Sequence, residues 1–147
     1  MSLRSQFKTD KSLETKGIVI DYGDTKITAA RAGGANKRYM KRLDFKTKPF
    51  RRAMIAGSMD TKLQTSILMA VIAETVVLDW KTKVKNKWVK GIDPEDAGKP
   101  AGKLLPVSVE NITAVFENLP DLFMDLQAQV QNGALYRDEI NEEDLGN

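Results

Sequence analysis

The chain contains no cysteine and no histidine. The first absence excludes a disulfide framework and thiolate chemistry, and it suits a reducing compartment. The second removes the commonest general base near neutral pH and the commonest metal ligand. No apolar run approaches the ~20 residues of a membrane span. The richest stretch, residues 67–78, is broken by Glu74 and Thr75. Residues 1–16 are polar and mixed in charge, without the apolar centre of a signal peptide. No internal repeat is visible. Together these absences predict a protein that stays in the cytoplasm where it is made and works by binding another macromolecule. They point away from an enzyme, and no catalytic, cofactor-binding or metal-ligating set is expected.

What is present fits one ordinary domain. The chain has 147 residues, 41% of them hydrophobic and 29% charged, enough to bury a core without cross-links. The net charge of +3 hides a strong asymmetry. Residues 1–52 carry 14 basic and 5 acidic side chains, residues 53–103 carry 8 and 6, and residues 104–147 carry 1 and 9. The three thirds therefore stand at +9, +2 and −8, a split that implies an electrostatic partner within or outside the chain.

The predicted fold class is α+β, mainly α-helical, with an N-terminal β-hairpin packed on a helical bundle whose central helix lies near residues 60–80. Residues 1–15 read as a flexible arm, residues 16–133 as a single globular domain, and residues 134–147 as an acidic, disordered tail. The hairpin is signalled by the β-formers Ile18, Val19, Ile20 and Tyr22, by a turn at Gly23-Asp24, and by alternation on the return. Gly33-Gly34 ends it, and residues 35–46 read as a basic helix stopped by Pro49. A short helical piece over residues 50–56 follows. In the central helix, Leu63, Ile67, Ala70, Val71 and Leu78 are expected to be buried. Residues 81–106 read as a long connection, with a short strand over residues 87–92 that pairs with residues 103–105. Ser108 caps a helix to about Asn118, and Pro120 opens another to about Gln131.

Each candidate motif has a plain structural alternative. Asp93, Glu95 and Asp96 lack the ligand spacing of a calcium loop and read as a turn. Residues 98–103 lack the spacing and the hydroxyl of a phosphate-binding loop. Glu74, alone in an apolar helix, has no acid–base partner and is expected to accept hydrogen bonds or to pair with an arginine of the basic helix. The basic and aromatic stretch of residues 37–52 could hold phosphates, face solvent, or dock a protein. The balancing −8 at the other end favours a protein and disfavours nucleic acid. The residues assigned to partner binding are Arg38, Lys41, Arg42, Arg51 and Arg52 on the basic side, and Glu139, Glu142 and Glu143 on the acidic side.

Several stretches carry a family likeness. They are Phe7-Lys8-Thr9-Asp10, Leu13-Glu14, Gly17-Ile18, Asp21-Tyr22-Gly23 and Ala30-Arg31-Ala32-Gly33-Gly34-Ala35-Asn36-Lys37-Arg38. Further along come Lys46-Thr47-Lys48-Pro49-Phe50-Arg51-Arg52-Ala53, Ala73-Glu74-Thr75-Val76-Val77-Leu78-Asp79-Trp80 and Asn118-Leu119-Pro120-Asp121-Leu122-Phe123. From about residue 7 to 137 the chain resembles tail assembly chaperones of long-tailed, siphovirus-type bacteriophages, departing from the pattern over residues 81–103. The resemblance implies a mainly helical protein of the host cytoplasm that coats the tape measure protein and keeps it soluble while the tail tube assembles. It also implies self-association and a longer, frameshifted form. The alternatives are a structural tail or connector protein of the virion, and a nucleic-acid-binding regulator.

Overall fold

The computed structural model describes residues 2–137. The fold is α+β: a four-stranded antiparallel sheet, in the order β1-β2-β3-β4, with helices packed on one face. Two short helices, α1 (Leu3–Phe7) and α2 (Lys11–Lys16), precede the hairpin of β1 (Ile18–Asp21) and β2 (Thr25–Ala29). Then come α3 (Lys37–Thr47), a 3-10 turn (Lys48–Phe50), α4 (Arg51–Ile55) and α5 (Thr61–Thr75). The chain returns to the sheet as β3 (Val77–Val84) and β4 (Lys87–Lys90), then closes with α6 (Val109–Asn118), α7 (Pro120–Gln131) and a last 3-10 turn (Gly133–Tyr136).

The central helix is shorter than expected. It ends at Thr75, where Thr75, Val76 and Val77 bring three β-branched side chains in a row that favour extended backbone. Beyond them Trp80 and Thr82 alternate with Lys81 and Lys83, and this period of two makes a strand. Leu78, expected inside, is 38% exposed. Ala29 pairs with Val77 while Thr28 pairs with Asp79, so Leu78 is the extra residue of a β-bulge. Val71 is fully buried, Ile67 and Ala70 are half-buried, and Leu63 is 37% exposed.

Residues 81–90, expected within a long connection, instead complete the sheet. They turn through Lys85 and Asn86, both at positive φ, a backbone whose twist suits a two-residue hairpin. The expected pairing of residues 87–92 with residues 103–105 survives only as one bridge, in which Ile92 and Leu105 exchange backbone hydrogen bonds of 2.9 and 2.7 Å.

The core lies between the sheet and α5, α6 and α7. Ile27, Trp80, Ile72, Val76, Phe116, Phe123 and Leu126 are all essentially inaccessible. Phe116 and Phe123 meet at a tilted ring distance of 5.0 Å. Helix α6 starts where Ser108 accepts the Asn111 amide, as its capping chemistry predicts.

Structure also extends on both sides of residues 16–133. Asp10 caps α2, and its amide donates to the Tyr136 carbonyl at 2.7 Å. Thr9 bridges Arg137. Tyr136 is fully buried, and its hydroxyl donates to the Ala29 carbonyl at 3.1 Å. The segment expected as an arm thus carries two helices, and the first residues of the expected tail pack into the core. Glu139, Glu142 and Glu143 lie outside the described residues.

Candidate functional site

Helices α3 and α5 lie side by side. Beside them is an open apolar groove of about 260 Å³, lined by Met40 and Leu43 from α3, Met54 and Met59 from α4 and its following loop, and Ile67 and Leu68 from α5. Asp44, Thr47 and Gln64 mark its polar edge. Met40 is 54% exposed and Met54 42%. Three methionines in one open cleft make an adaptable lining, because the unbranched thioether fits irregular apolar partners. Such a cleft suits an amphipathic helix laid along it.

The groove exists because α5 has two unlike halves. From Met69 to Thr75 it buries Met69, Val71, Ile72, Ala73 and Thr75. Over residues 61–68 no residue is fully buried, although Leu63, Ile67 and Leu68 are as apolar as their neighbours below. Helix α5 as a whole packs on α3, α6 and β3, and Ile67 and Leu68 both touch the edge of the core and line the groove.

The basic residues assigned to partner binding divide into two sets. Arg42 Nε donates to Glu74 Oε2 at 2.8 Å, the pairing expected for that carboxylate. Arg38 reaches the Glu74 carbonyl at 3.4 Å. Both cations sit at the C-terminal end of α5, where the helix dipole favours them. With Lys41, Phe45 and Thr75 they line an open depression of about 300 Å³ on the other side of α3. Arg51 pairs at 3.0 Å with Asp44, a residue of the groove's polar edge, an exposed contact worth ~0–1 kcal/mol. Lys41 and Arg52 are exposed. The structure therefore brings Arg38, Lys41 and Arg42 together and sets Arg51 beside the groove.

Sequence reasoning missed a second charged centre. Glu14 is buried, and its carboxylate accepts from Thr9 at 2.8 Å, Arg31 at 2.8 Å and the Ala35 amide at 3.2 Å. Burial pushes its pKa up, but those hydrogen bonds and the Arg31 charge outweigh it and hold the carboxyl below the usual glutamate value. Gly34, at φ +53°, leaves room for this carboxylate; a Cβ there would collide with it. Every oxygen of Glu14 is thus committed to holding residues 9–35 together. The only hint in the sequence was a Glu in a short helix followed by an Arg and a glycine pair.

Elsewhere the polar chemistry is likewise structural. The Tyr22 hydroxyl donates to Asp125 at 2.6 Å, and Gln129 donates to the same carboxylate at 2.6 Å. Burial, then the Asp125 hydrogen bond and charge, raise the Tyr22 pKa, while the two donors lower that of Asp125. Asp96 is pushed up by burial and by the charges of Asp93 and Glu95, as befits a crowded acidic turn. Among the described residues no group of three or more Asp, Glu, His or Cys is placed to hold a metal ion. Nor is any helix among them long and apolar enough to cross a membrane.

No curated protein and no solved structure matches the chain. The family model described as YdaY prophage protein matches residues 34–147, a span that takes in the groove, the basic helix and the whole of β3 to α7. The chain belongs to this prophage family and is phage-derived.

Proposed function

We propose that this protein is a tail assembly chaperone of a long-tailed phage, acting in the host cytoplasm by binding the tape measure protein and keeping it soluble while the tail tube forms. The observation that carries this reading is the methionine-lined groove between α3 and α5, open to solvent, with the cations of the basic helix on the opposite side of α3. A tape measure protein is a long helical ruler, and its apolar stripe aggregates unless covered. An apolar groove takes the apolar face of an amphipathic helix, and methionines tolerate a stripe whose residues change along its length. Phage origin and the likeness to tail assembly chaperones support the same reading.

The chain does this by binding rather than catalysis. The buried carboxylate of Glu14 is consumed by its three donors, and no histidine or cysteine exists to act in its place. Several copies cover one ruler. The +9 and −8 thirds of neighbouring copies meet head to tail, a heterologous contact that builds an open array. A longer frameshifted form shares the array.

Co-expression with the tape measure protein of the same phage tests the proposal. The expected result is a soluble complex that co-purifies, with Met40→Asp plus Met54→Asp abolishing it while the circular dichroism stays unchanged. A tape measure protein equally soluble without the chain would overturn the chaperone role. Abundant copies in purified virions would identify a structural tail protein instead.

A further inference from the structure

The hairpin of β3 and β4 has no part in the groove. Residues 81–90 carry five lysines and no acid. On the sheet face turned away from the helices, the register sets Lys26 beside Lys81, Lys81 beside Lys90, and Lys83 beside Trp88. The Trp88 indole is half-buried, with Lys26 Nζ at 4.4 Å and Lys83 Nζ at 5.7 Å from its ring centre. Trp88, Lys26 and Lys81 line a shallow depression of about 240 Å³ on this face.

Lysines on an edge strand are ordinary protection against strand pairing. That accounts for the charge but not for an aromatic ring held among the ammonium groups on the face of the sheet. Asp79 lies 4.0 Å from Lys81 and 3.9 Å from Lys90 and offsets part of their charge. Among the described residues neither Lys26 nor Lys83, the two that flank the indole, forms an ion pair. An acidic peptide would satisfy these lysines and leave the ring unused. A nucleotide uses both, since its phosphate meets the cations and its base stacks on the ring.

We propose that the outer face of the sheet binds single-stranded nucleic acid, with a base on Trp88 and backbone phosphates on Lys26, Lys81 and Lys83. The surface is separate from the basic helix, where Arg38 and Arg42 are engaged with Glu74.

The chain has two tryptophans, and Trp80 is only 1% exposed, so a surface event is read from Trp88. Titration of the full chain with oligo-dT at low salt is expected to quench part of the emission saturably. The affinity should fall with salt at a log–log slope of about −2, as for three phosphate contacts. Trp88→Ala should remove the quenching and weaken binding of a labelled oligo-dT roughly 5- to 150-fold by anisotropy. Lys26→Glu with Lys83→Glu should weaken it further, and Met40→Asp should leave it unchanged. Equal quenching and competition by polyglutamate would overturn the proposal in favour of an acidic protein surface. No binding at low salt, or binding indifferent to both Trp88→Ala and the lysine pair, would also overturn it.

Discussion

The two halves of α5 differ in composition and in fate: residues 61–68 set Leu63, Ile67 and Leu68 among polar side chains, while residues 69–75 are apolar except for Glu74 and Thr75. Residues 69–75 are mostly buried, while no residue of 61–68 is fully buried and Ile67 and Leu68 line a cleft. The difference shows that leucine and isoleucine on a helix call for cover without stating how much of it the rest of the chain supplies. In the lower half the cover is this chain. In the upper half Leu63, Ile67 and Leu68 keep part of their surface open to solvent.

That contrast can be broken by substitution. Ile72→Ala, in the sealed half, should cost ~2–5 kcal/mol, measured by urea unfolding. Ile67→Ala, in the open half, should cost no more than ~1–2 kcal/mol because much of its surface is already wet. Equal losses would mean that the groove is part of the core.

A second test concerns the sealed end of the molecule. Glu14→Gln removes the charge facing Arg31, which is itself 24% exposed in its side chain, and should cost ~1–3 kcal/mol at pH 7. The folded carboxyl titrates below its unfolded value. Its contribution is therefore complete above the ordinary glutamate pKa of about 4.3. It is lost as pH falls through the lower folded value. The gap between wild type and Glu14→Gln should accordingly narrow below pH ~4; a gap that widens there would reject the assignment.

The groove itself should be nearly silent in stability. Met40→Asp with Met54→Asp should shift the melting temperature by only a few degrees, or ~1 kcal/mol at most, since both side chains are largely exposed. Client binding should fall by at least about tenfold, a 1.4 kcal/mol effect, in co-purification or anisotropy with a tape-measure peptide. A large loss of stability without loss of binding would reverse the roles assigned to the two halves.

The smallest stability effect is expected from the exposed cations. Lys41→Glu with Arg52→Glu should change unfolding by less than ~0.5 kcal/mol. It should still weaken association, as should ~1 M salt, where the Debye length is ~3 Å. Arg38 and Arg42 are poorer probes because both hold the end of α5. If the partner is a second copy, Lys at Glu139, Glu142 and Glu143 should restore binding. Lost client binding without such rescue would assign the contact to the tape measure protein.

Much of this was legible in the sequence because it depends on local signals. Ser108 before an apolar run, Pro120 at a helix start and Gly23-Asp24 between alternating segments each specify an element within a few residues. The pairing of Glu74 with the basic helix was also legible, since a lone carboxylate in an apolar stretch demands a cation. What escaped was set by distant contacts. The end of α5 and the strand after it depend on β2 being there to pair with Val77 and Asp79. The burial of Glu14 depends on Arg31 and Ala35, and that of Tyr136 on Ala29. The groove is an absence of cover over residues 61–68, and a helical period cannot report which neighbour is missing.

The junction of the two ends has a consequence for how the protein is made. Thr9 pairs with Arg137, the Asp10 amide needs the Tyr136 carbonyl, and Ala32 donates to Val130. The ribosome makes these partners about a hundred residues after the first strands, at some 5–20 residues per second. The first strands therefore wait several seconds, as an unsealed edge, for the residues that lock them. A nascent chain halted before Val130 should stay open to protease at residues 9–36, and closure should follow as one step once Arg137 has emerged. The window before that step is when this protein itself most needs shielding.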